Sequence, residues 1–425
     1  MHAVGFLRAP NSSYKLKCFP VPTSEFLHFI SGSLLEHRKT MTSVNVGLLA
    51  LISLFVPALA APAYSCKNFF VKVPVANVTQ VVPPFPFPFP DGYAATAFAN
   101  AATYRDPAPL SPKLQNFSGT FDISVEYCTP NKKGPKASTI QLLTHGLGFD
   151  KKYWDFRLPS APKDTQYSYI ATALANGYST FSWDRLGCGL SSTPDPYLVV
   201  QAPIELTVLA TLTGILRQGG LKGEGIAPPK KVIHVGHSWG SELSNALAAL
   251  PQGNELSDGL ILTAFSHQFQ YGGYFVASTN FHLANTNQPA RFAKRSTGYI
   301  TWGDKFANQY AFLSYGYFDP AVLEYAESTK FPFTVGEFLT QGALNYNAST
   351  FKGPVLWLAA QHDLIFCQGD CVGLFGETSP AVEAFSGSSD VEVYIQPNMG
   401  HGINLHKNAT GAYKVAQSWA GKHGF

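Results

Sequence analysis

The chain has 425 residues, of which 45% are hydrophobic and 13% charged, too apolar for a disordered chain and long enough for one large domain with an insertion. Its formal net charge is only +3 and its Lys and Arg residues are scattered, which argues against a polybasic surface for nucleic acid or anionic lipid.

Residues 1–40 read either as an extension from a misassigned start codon or as a long cytosolic leader. From Met41 an apolar run, Gly47–Leu59, ends in Ala58-Leu59-Ala60. An apolar core of this length followed by small residues at −3 and −1 reads as a secretory signal, 41–60, cleaved after Ala60. The run is shorter than the roughly 20 residues a membrane span needs, so no stable membrane insertion is expected after cleavage. No Lys or Arg lies between Met41 and Gly47, although His37-Arg38-Lys39 stands just upstream. The expected location is extracellular, and the sequons at Asn77, Asn116, Asn347 and Asn408 are then candidate glycan sites.

Five cysteines follow the signal: Cys66, Cys128, Cys188, Cys367 and Cys371. An oxidising compartment favours pairing. Cys66 opens the first predicted strand and Cys128 closes the second, while Cys367 and Cys371 enclose a short loop. Cys66–Cys128 and Cys367–Cys371 are the expected pairs, with Cys188 free, although spacing alone leaves other connectivities open.

Two strands are predicted first, Asn68–Val75 and Thr120–Cys128. Between them the alternating prolines and phenylalanines of Pro83–Pro90 forbid helix and suggest an extended segment packed on the body. From Ser138 short apolar strands alternate with helices. The strands are Thr139–Leu143, Ser179–Trp183, Lys231–Val235, Gly259–Ala264, Val355–Ala360 and Val391–Gln396. The helices are Tyr167–Ala175, Pro203–Gln218, Glu242–Leu250 and Gly411–Ala420. Such alternation means a mostly parallel sheet covered on both faces, an α/β class. One interval, 267–352, is too long for a simple crossover and holds 20 of the chain's aromatic residues. It reads as an inserted cap with helical pieces such as Asp319–Ser328. The expected organisation is a core in two parts, 61–266 and 353–425, around that insertion.

Strand Lys231–Val235 leads into Gly236-His237-Ser238-Trp239-Gly240 and then a helix. Glycines flanking a serine at a strand–turn–helix junction expose its hydroxyl at a helix N-terminus, where free N–H groups favour negative charge. Ser238 is the candidate nucleophile. Strand Thr139–Leu143 runs into Thr144-His145-Gly146-Leu147-Gly148, so the N–H groups of Leu147 and Trp239 form the candidate oxyanion hole, with His145 bracing the loop. After the next strand, Asp184 and Arg185 are expected to pair and pin the Gly187-Cys188-Gly189 turn. The candidate base is His401, between Gly400 and Gly402 after the final strand, ahead of His406 and His423. Asp363, at the end of the preceding strand, is the candidate orienting acid, ahead of Asp370 and Asp258.

On these residues the stretch 138–425 resembles the α/β-hydrolase superfamily, in its branch with a cap after the sixth strand. His145-Gly146, Asp184-Arg185-Leu186-Gly187, Gly236-His237-Ser238-Trp239-Gly240, the Asp363 loop and Gly400-His401-Gly402 match its pattern in order. Ser238-Trp239-Gly240-Ser241 is similar to the elbow of proline iminopeptidases, whose second elbow residue is usually glycine where His237 stands here. Epoxide hydrolases and haloalkane dehalogenases resemble the chain in cap position but use an aspartate nucleophile. The signal, sequons and proline-rich lead-in suggest a secreted fungal member.

The resemblance implies the α/β-hydrolase fold and a serine hydrolase that forms an acyl-enzyme on Ser238. No metal or organic cofactor is implied. The aromatic insertion points to a small hydrophobic partner, an aromatic ester or lactone. One rival is an aminopeptidase holding a free amine on Glu324, Glu327 or Glu337, residues otherwise expected to be solvated surface. The others are a lyase or cyclase, or a binding protein on the same fold.

Overall fold

The computed structural model describes residues 63–104 and 112–425; the expected leader and signal peptide lie outside these. Eight strands form the main sheet: β1 (Tyr64–Val82), β2 (Lys113–Pro130), β3 (Thr139–Thr144), β4 (Ser179–Trp183), β5 (Lys231–His237), β6 (Gly259–Thr263), β10 (Val355–His362) and β11 (Val391–Gly400). Their order is β1-β2-β4-β3-β5-β6-β10-β11. β1 and β2 pair antiparallel, β2 meets β4 antiparallel, and every later neighbour is parallel. β3, β4 and β6 are buried along their whole length, which is why they read as unbroken apolar runs. β1, at the edge, alternates instead: Val71, Val73 and Val75 point inward between exposed Lys72, Pro74 and Ala76.

Helices cover both faces. On one, α3 (Ala202–Arg217) and α4 (Trp239–Ala248) bury Leu209, Leu212 and Leu243 against Ile140, Leu142 and Val232. On the other, α2 (Tyr169–Ala175) and the C-terminal helix Ala409–Lys422 pack Ile170, Tyr413 and Trp419 with Leu143, Ile233 and Val235. The mostly parallel, doubly covered sheet is the one expected.

Three features differ in extent from the sequence reading. β1 and β2 run well past the predicted ends, because β1 continues through a register shift between Val75 and Val78 where Asn77 takes φ 59°. An unpredicted helix, α1 (Gly92–Ala102), follows the proline-rich run, started by Asp91 accepting from the N–H of Ala94 at 2.9 Å. Residues 267–352 hold helices, Pro320–Thr329 among them, and also a three-stranded antiparallel sheet. Its strands are β7 (His282–Leu283), β8 (Tyr299–Thr301) and β9 (Phe333–Thr334), each too short to leave a periodic signature. Before β3, Phe89 is buried and bonded through its N–H to the hydroxyl of Tyr197, so the Pro/Phe run does pack on the body.

Cysteines pair as Cys66–Cys128 and Cys367–Cys371, and Cys188 is free and buried. The first pair joins directly opposed residues of β1 and β2. Asn77, Asn116, Asn347 and Asn408 are all exposed.

Candidate active site

Ser238 sits between β5 and α4 with φ 54° and ψ −120°. A positive φ is strained for a side-chain-bearing residue, and the surroundings hold it. Its N–H donates to the carbonyl of Thr263 on β6 at 2.9 Å, and its carbonyl accepts from Ser241 and Glu242. The flanking glycines are required by close approach. A Cβ on Gly240 would lie 2.0 Å from the carbonyl oxygen of Thr144, and one on Gly236 would lie 2.4 Å from the backbone nitrogen of Ser241.

Asp363 follows β10 and starts the short helix Leu364–Cys367. Its Oδ1 accepts from the N–H groups of Ile365 and Phe366 at 2.9 and 3.0 Å, and its Oδ2 lies 2.7 Å from Nδ1 of His401. A carboxylate oxygen accepts, so Nδ1 carries the proton and Nε2 of His401 offers a lone pair. That Nε2 is buried and has no hydrogen-bond partner. The rings of Phe312 and Phe366 flank the imidazole at 5.6 and 5.8 Å.

The loop carrying His401 is pinned from two sides. Gly402 donates its N–H to the carbonyl of Phe312 at 2.8 Å. His406 accepts at Nε2 from the N–H groups of Gly400 and Ser314, each at 3.0 Å, and its Nδ1 is 2.9 Å from the carbonyl of Gly402. Burial holds its pKa down to about 4, so it braces the loop as a neutral ring. His423 instead meets Glu392 and Asp390, and Asp370 is exposed. Asp258 lies at the start of β6, bonded to Arg217 and Lys231.

Thr144 of β3 pairs with Gly236 of β5, which brings the two strand ends together. A Cβ on Gly146 would stand 3.0 Å from Cβ of Ser238 and 3.2 Å from Cδ2 of His237, so the Gly146–Leu147 turn abuts the elbow. Trp239 is the first residue of α4, so its N–H has no acceptor within the helix. His237 stacks on Tyr153 at 4.3 Å and lies 5.2 Å from His401. The hydroxyl of Thr263 donates to the carbonyl of Gly236 and therefore accepts from Nδ1 of His237 at 3.2 Å. His237 is thus a neutral ring with an unpartnered Nε2, and burial, followed by the neighbouring His401, pushes its pKa well down.

Asp184 and Arg185 do not pair with one another. Asp184 accepts from Nζ of the buried Lys151 at 2.7 Å, and from the N–H groups of Lys151 and Leu190. Arg185 points the other way and pairs with Glu205 at 2.8 Å and with Glu337. Adjacent residues leave a loop on opposite sides, so each finds its own partner. Nor are two of the three glutamates of 267–352 solvated surface. Glu337 is buried on Arg185, and Glu327 accepts from the indole of Trp302 and from Lys330; only Glu324 is an exposed ion pair, with Lys305.

Sequence reading also passed over Glu205 and Glu242, although a lone carboxylate in an apolar helix is a visible signal. Both are buried. Desolvation pushes the pKa of Glu205 up to about 8, against the pull of Arg185, and that of Glu242 up to about 7. Among the described residues, one cluster has metal-ligand spacing: Asp390, Glu392 and His423. It lies at the opposite end of β11 from His401, and Lys422 already pairs with its carboxylates.

Residues 141–410 match the model of the alpha/beta hydrolase family. The chain belongs to that family. Among solved structures, this hydrolase is similar to a thermophilic esterase from Thermogutta terrifontis, at 16% identity over 72% of this chain and 95% of the esterase, with a TM-score of 0.45. A soluble variant of monoglyceride lipase from Saccharomyces cerevisiae is 18% identical over 73% of this chain and 94% of its own, TM-score 0.42. A proline iminopeptidase from Mycobacterium smegmatis is 14% identical over 71% and 95%, TM-score 0.43. At these levels the likeness concerns the fold alone. No curated protein matches the sequence significantly. Among the described residues, no helix of the hydrolase is long and apolar enough to cross a membrane.

Proposed function

We propose that this hydrolase is a secreted serine esterase acting on a hydrophobic or aromatic carboxylic ester or lactone. Ser238 is the nucleophile, His401 the general base and Asp363 the group that fixes the imidazole tautomer. The observation that carries the reading is the 2.7 Å contact between Asp363 and Nδ1 of His401. It leaves Nε2 as an unpartnered base in the side-chain cluster that holds the strained Ser238 elbow.

Oγ of Ser238 bonds to the acyl carbon as its proton passes to Nε2 of His401. The carbonyl electron pair moves onto oxygen, and the N–H groups of Leu147 and Trp239 receive that charge. The electron pair returns, the alkoxide leaves with the proton from His401, and an acyl-enzyme remains. Water, giving its proton to His401, releases the acid by the same steps.

The rings of Phe149, Trp302 and Phe312, mutually 4.9 to 6.1 Å apart, support an apolar substrate, because they lie beside His237 and His401. Trp302 and Phe312 come from 267–352, and Phe331 of that stretch bonds Gly148 through its N–H. These contacts favour its role as a cap over the site. An amine-binding site finds little support, since Glu324, Glu327 and Glu337 are each engaged by a cation. Paired cysteines agree with export to an oxidising compartment.

The test is labelling with a fluorophosphonate, followed by turnover of p-nitrophenyl esters against aminoacyl-naphthylamides. Labelling at Ser238 with ester turnover is expected. Turnover of the aminoacyl substrates alone would overturn the bond specificity, and absence of labelling would overturn the nucleophile.

A further inference from the structure

Arg185 is wholly buried among five acceptors. Its Nη1 donates to both oxygens of Glu205, at 2.9 and 2.8 Å, and to Oε1 of Glu337. Its Nε donates to the carbonyl of His145 at 3.1 Å, and its Nη2 to the carbonyl of Gly146 at 3.2 Å. The backbone N–H of Arg185 donates to Nε2 of His145 at 3.1 Å. Nδ1 of His145 therefore carries that ring's proton and gives the Gly146 carbonyl a second donor, at 2.9 Å.

The Gly146 carbonyl is one end of a peptide whose other end is the Leu147 N–H. In a planar trans peptide the two point in opposite directions, so fixing the oxygen fixes the line along which the N–H is aimed. A cationic donor on the oxygen also polarises the unit and makes the N–H a stronger donor. The second oxyanion residue is tied to the same group, because Oε2 of Glu205 accepts from the indole Nε1 of Trp239 at 2.8 Å. Glu337 starts no chemistry of its own. It closes a capping box with Thr334 and so joins the helix Val335–Thr340 to the guanidinium. A buried ion cluster is weak evidence for stability, since apolar replacements of equal volume are often as stable. This cluster grips two consecutive carbonyls of the loop that abuts the nucleophile.

We propose that Arg185, held by Glu205 and Glu337, is the positioning residue that aims and polarises the Gly146–Leu147 peptide at the oxyanion. The proposal rests on the roles given above to Ser238, Leu147 and Trp239, and adds to them what sets the strength of the hole. Stabilisation made only in the transition state appears in kcat and not in KM.

The decisive variant is Arg185→Lys, which keeps a cation beside Glu205 and Glu337 but cannot also reach both carbonyls. Its kcat on p-nitrophenyl butyrate should fall by about 10² with KM little changed, the size expected when an oxyanion donor is misplaced. Affinity for a phenylboronic acid, which forms an anionic tetrahedral adduct on Ser238, should fall in the same proportion. Glu337→Gln, which leaves both carbonyl contacts in place, should lose about tenfold in kcat and serves if the lysine variant does not fold. Kinetics and boronate affinity near wild type in a folded Arg185→Lys, or in its absence Glu337→Gln, would overturn the proposal. So would a rise in KM at constant kcat. Fluorophosphonate labelling of wild type separates the levels. Labelled Ser238 with unchanged variants defeats this proposal alone, and an unlabelled wild type defeats the site reading on which it stands.

Discussion

Asp363 divides its carboxylate between two tasks: Oδ1 is tied to the N–H groups of Ile365 and Phe366, and Oδ2 faces Nδ1 of His401 at 2.7 Å. The backbone contacts fix the orientation of the carboxylate, and the carboxylate fixes that of the ring. Removing the charge while keeping the shape should therefore alter the tautomer and little else. Asp363→Asn is expected to fold normally and to lose about 10⁴ in kcat. Asp370→Asn, altering an exposed group, should be near wild type. The reverse ranking would mean that the wrong carboxylate has been assigned.

Ser238→Ala should abolish fluorophosphonate labelling and cut turnover by several orders of magnitude, about 10⁶ by analogy with other triad enzymes. Its stability should not fall, because alanine relinquishes only a hydroxyl. Labelling that survives the substitution would place the nucleophile elsewhere.

Thiol chemistry should divide the cysteines cleanly. Peptide mapping without reduction should recover Cys66 with Cys128 and Cys367 with Cys371. Cys188 is buried, and desolvation pushes its thiol pKa well above the ordinary value, so it should resist alkylation until the protein is unfolded. A mixed disulfide between Cys188 and Cys367 would contradict the arrangement.

Stability should peak near neutrality. Glu205 and Glu242, with native pKa values raised to about 8 and about 7, keep protons that the unfolded chain releases above about 4.5. A raised pKa means stability that is lost as pH climbs towards the native value. Above about pH 7.5 the histidines are neutral in both states, so the carboxyls act almost alone, and stability should decline by about 0.5–1 kcal/mol from there to about pH 8.5. In acid the sign reverses. Burial depresses His234 to about 3 and His267 and His406 to about 4, and holds His145 and His237 well down too, so the unfolded chain protonates all five below about 6.5. The carboxyls offset only part of that loss down to about pH 4.5 and none of it below. Thermal melts from about pH 3.5 to 8.5 check this, and a Tm that rises between about 7.5 and 8.5 would refute it.

What the sequence carried depended on how local the physics was. The strands β3 to β6 and β10 were readable because burial on both faces leaves a continuous apolar run that needs no knowledge of partners. The Ser238 elbow was readable because its turn is a compact pattern: Gly236 is demanded by the backbone of Ser241 a few residues on, although Gly240 answers to the distant carbonyl of Thr144. Arg185 was misjudged for the opposite reason. Its partners, Glu205 and Glu337, stand 20 and 152 positions away, and nothing local says that a carboxylate will arrive there. α1 escaped because its signal is one aspartate cap before alanines, and the strands of 267–352 are two or three residues long.

The last expectation concerns the room available to the substrate. Phe312 contributes in two ways that can be separated. Its carbonyl anchors Gly402 and so the His401 loop, whereas its ring packs on Phe149, Trp302 and His401 at 5.6, 4.9 and 5.6 Å. Substituting the side chain leaves the carbonyl in place, so the catalytic loop should keep its position. Phe312→Leu removes aromatic bulk beside the base while retaining an apolar wall, at a cost to stability of about 1–2 kcal/mol. If the ring bounds the acyl site, the variant should favour larger acyl groups. The ratio of kcat/KM for a p-nitrophenyl benzoate to that for the acetate should rise by about tenfold, within the range that one methylene's worth of pocket volume commands. An equal change for both esters in a folded variant would mean that Phe312 acts only through the His401 loop and not through the shape of the site.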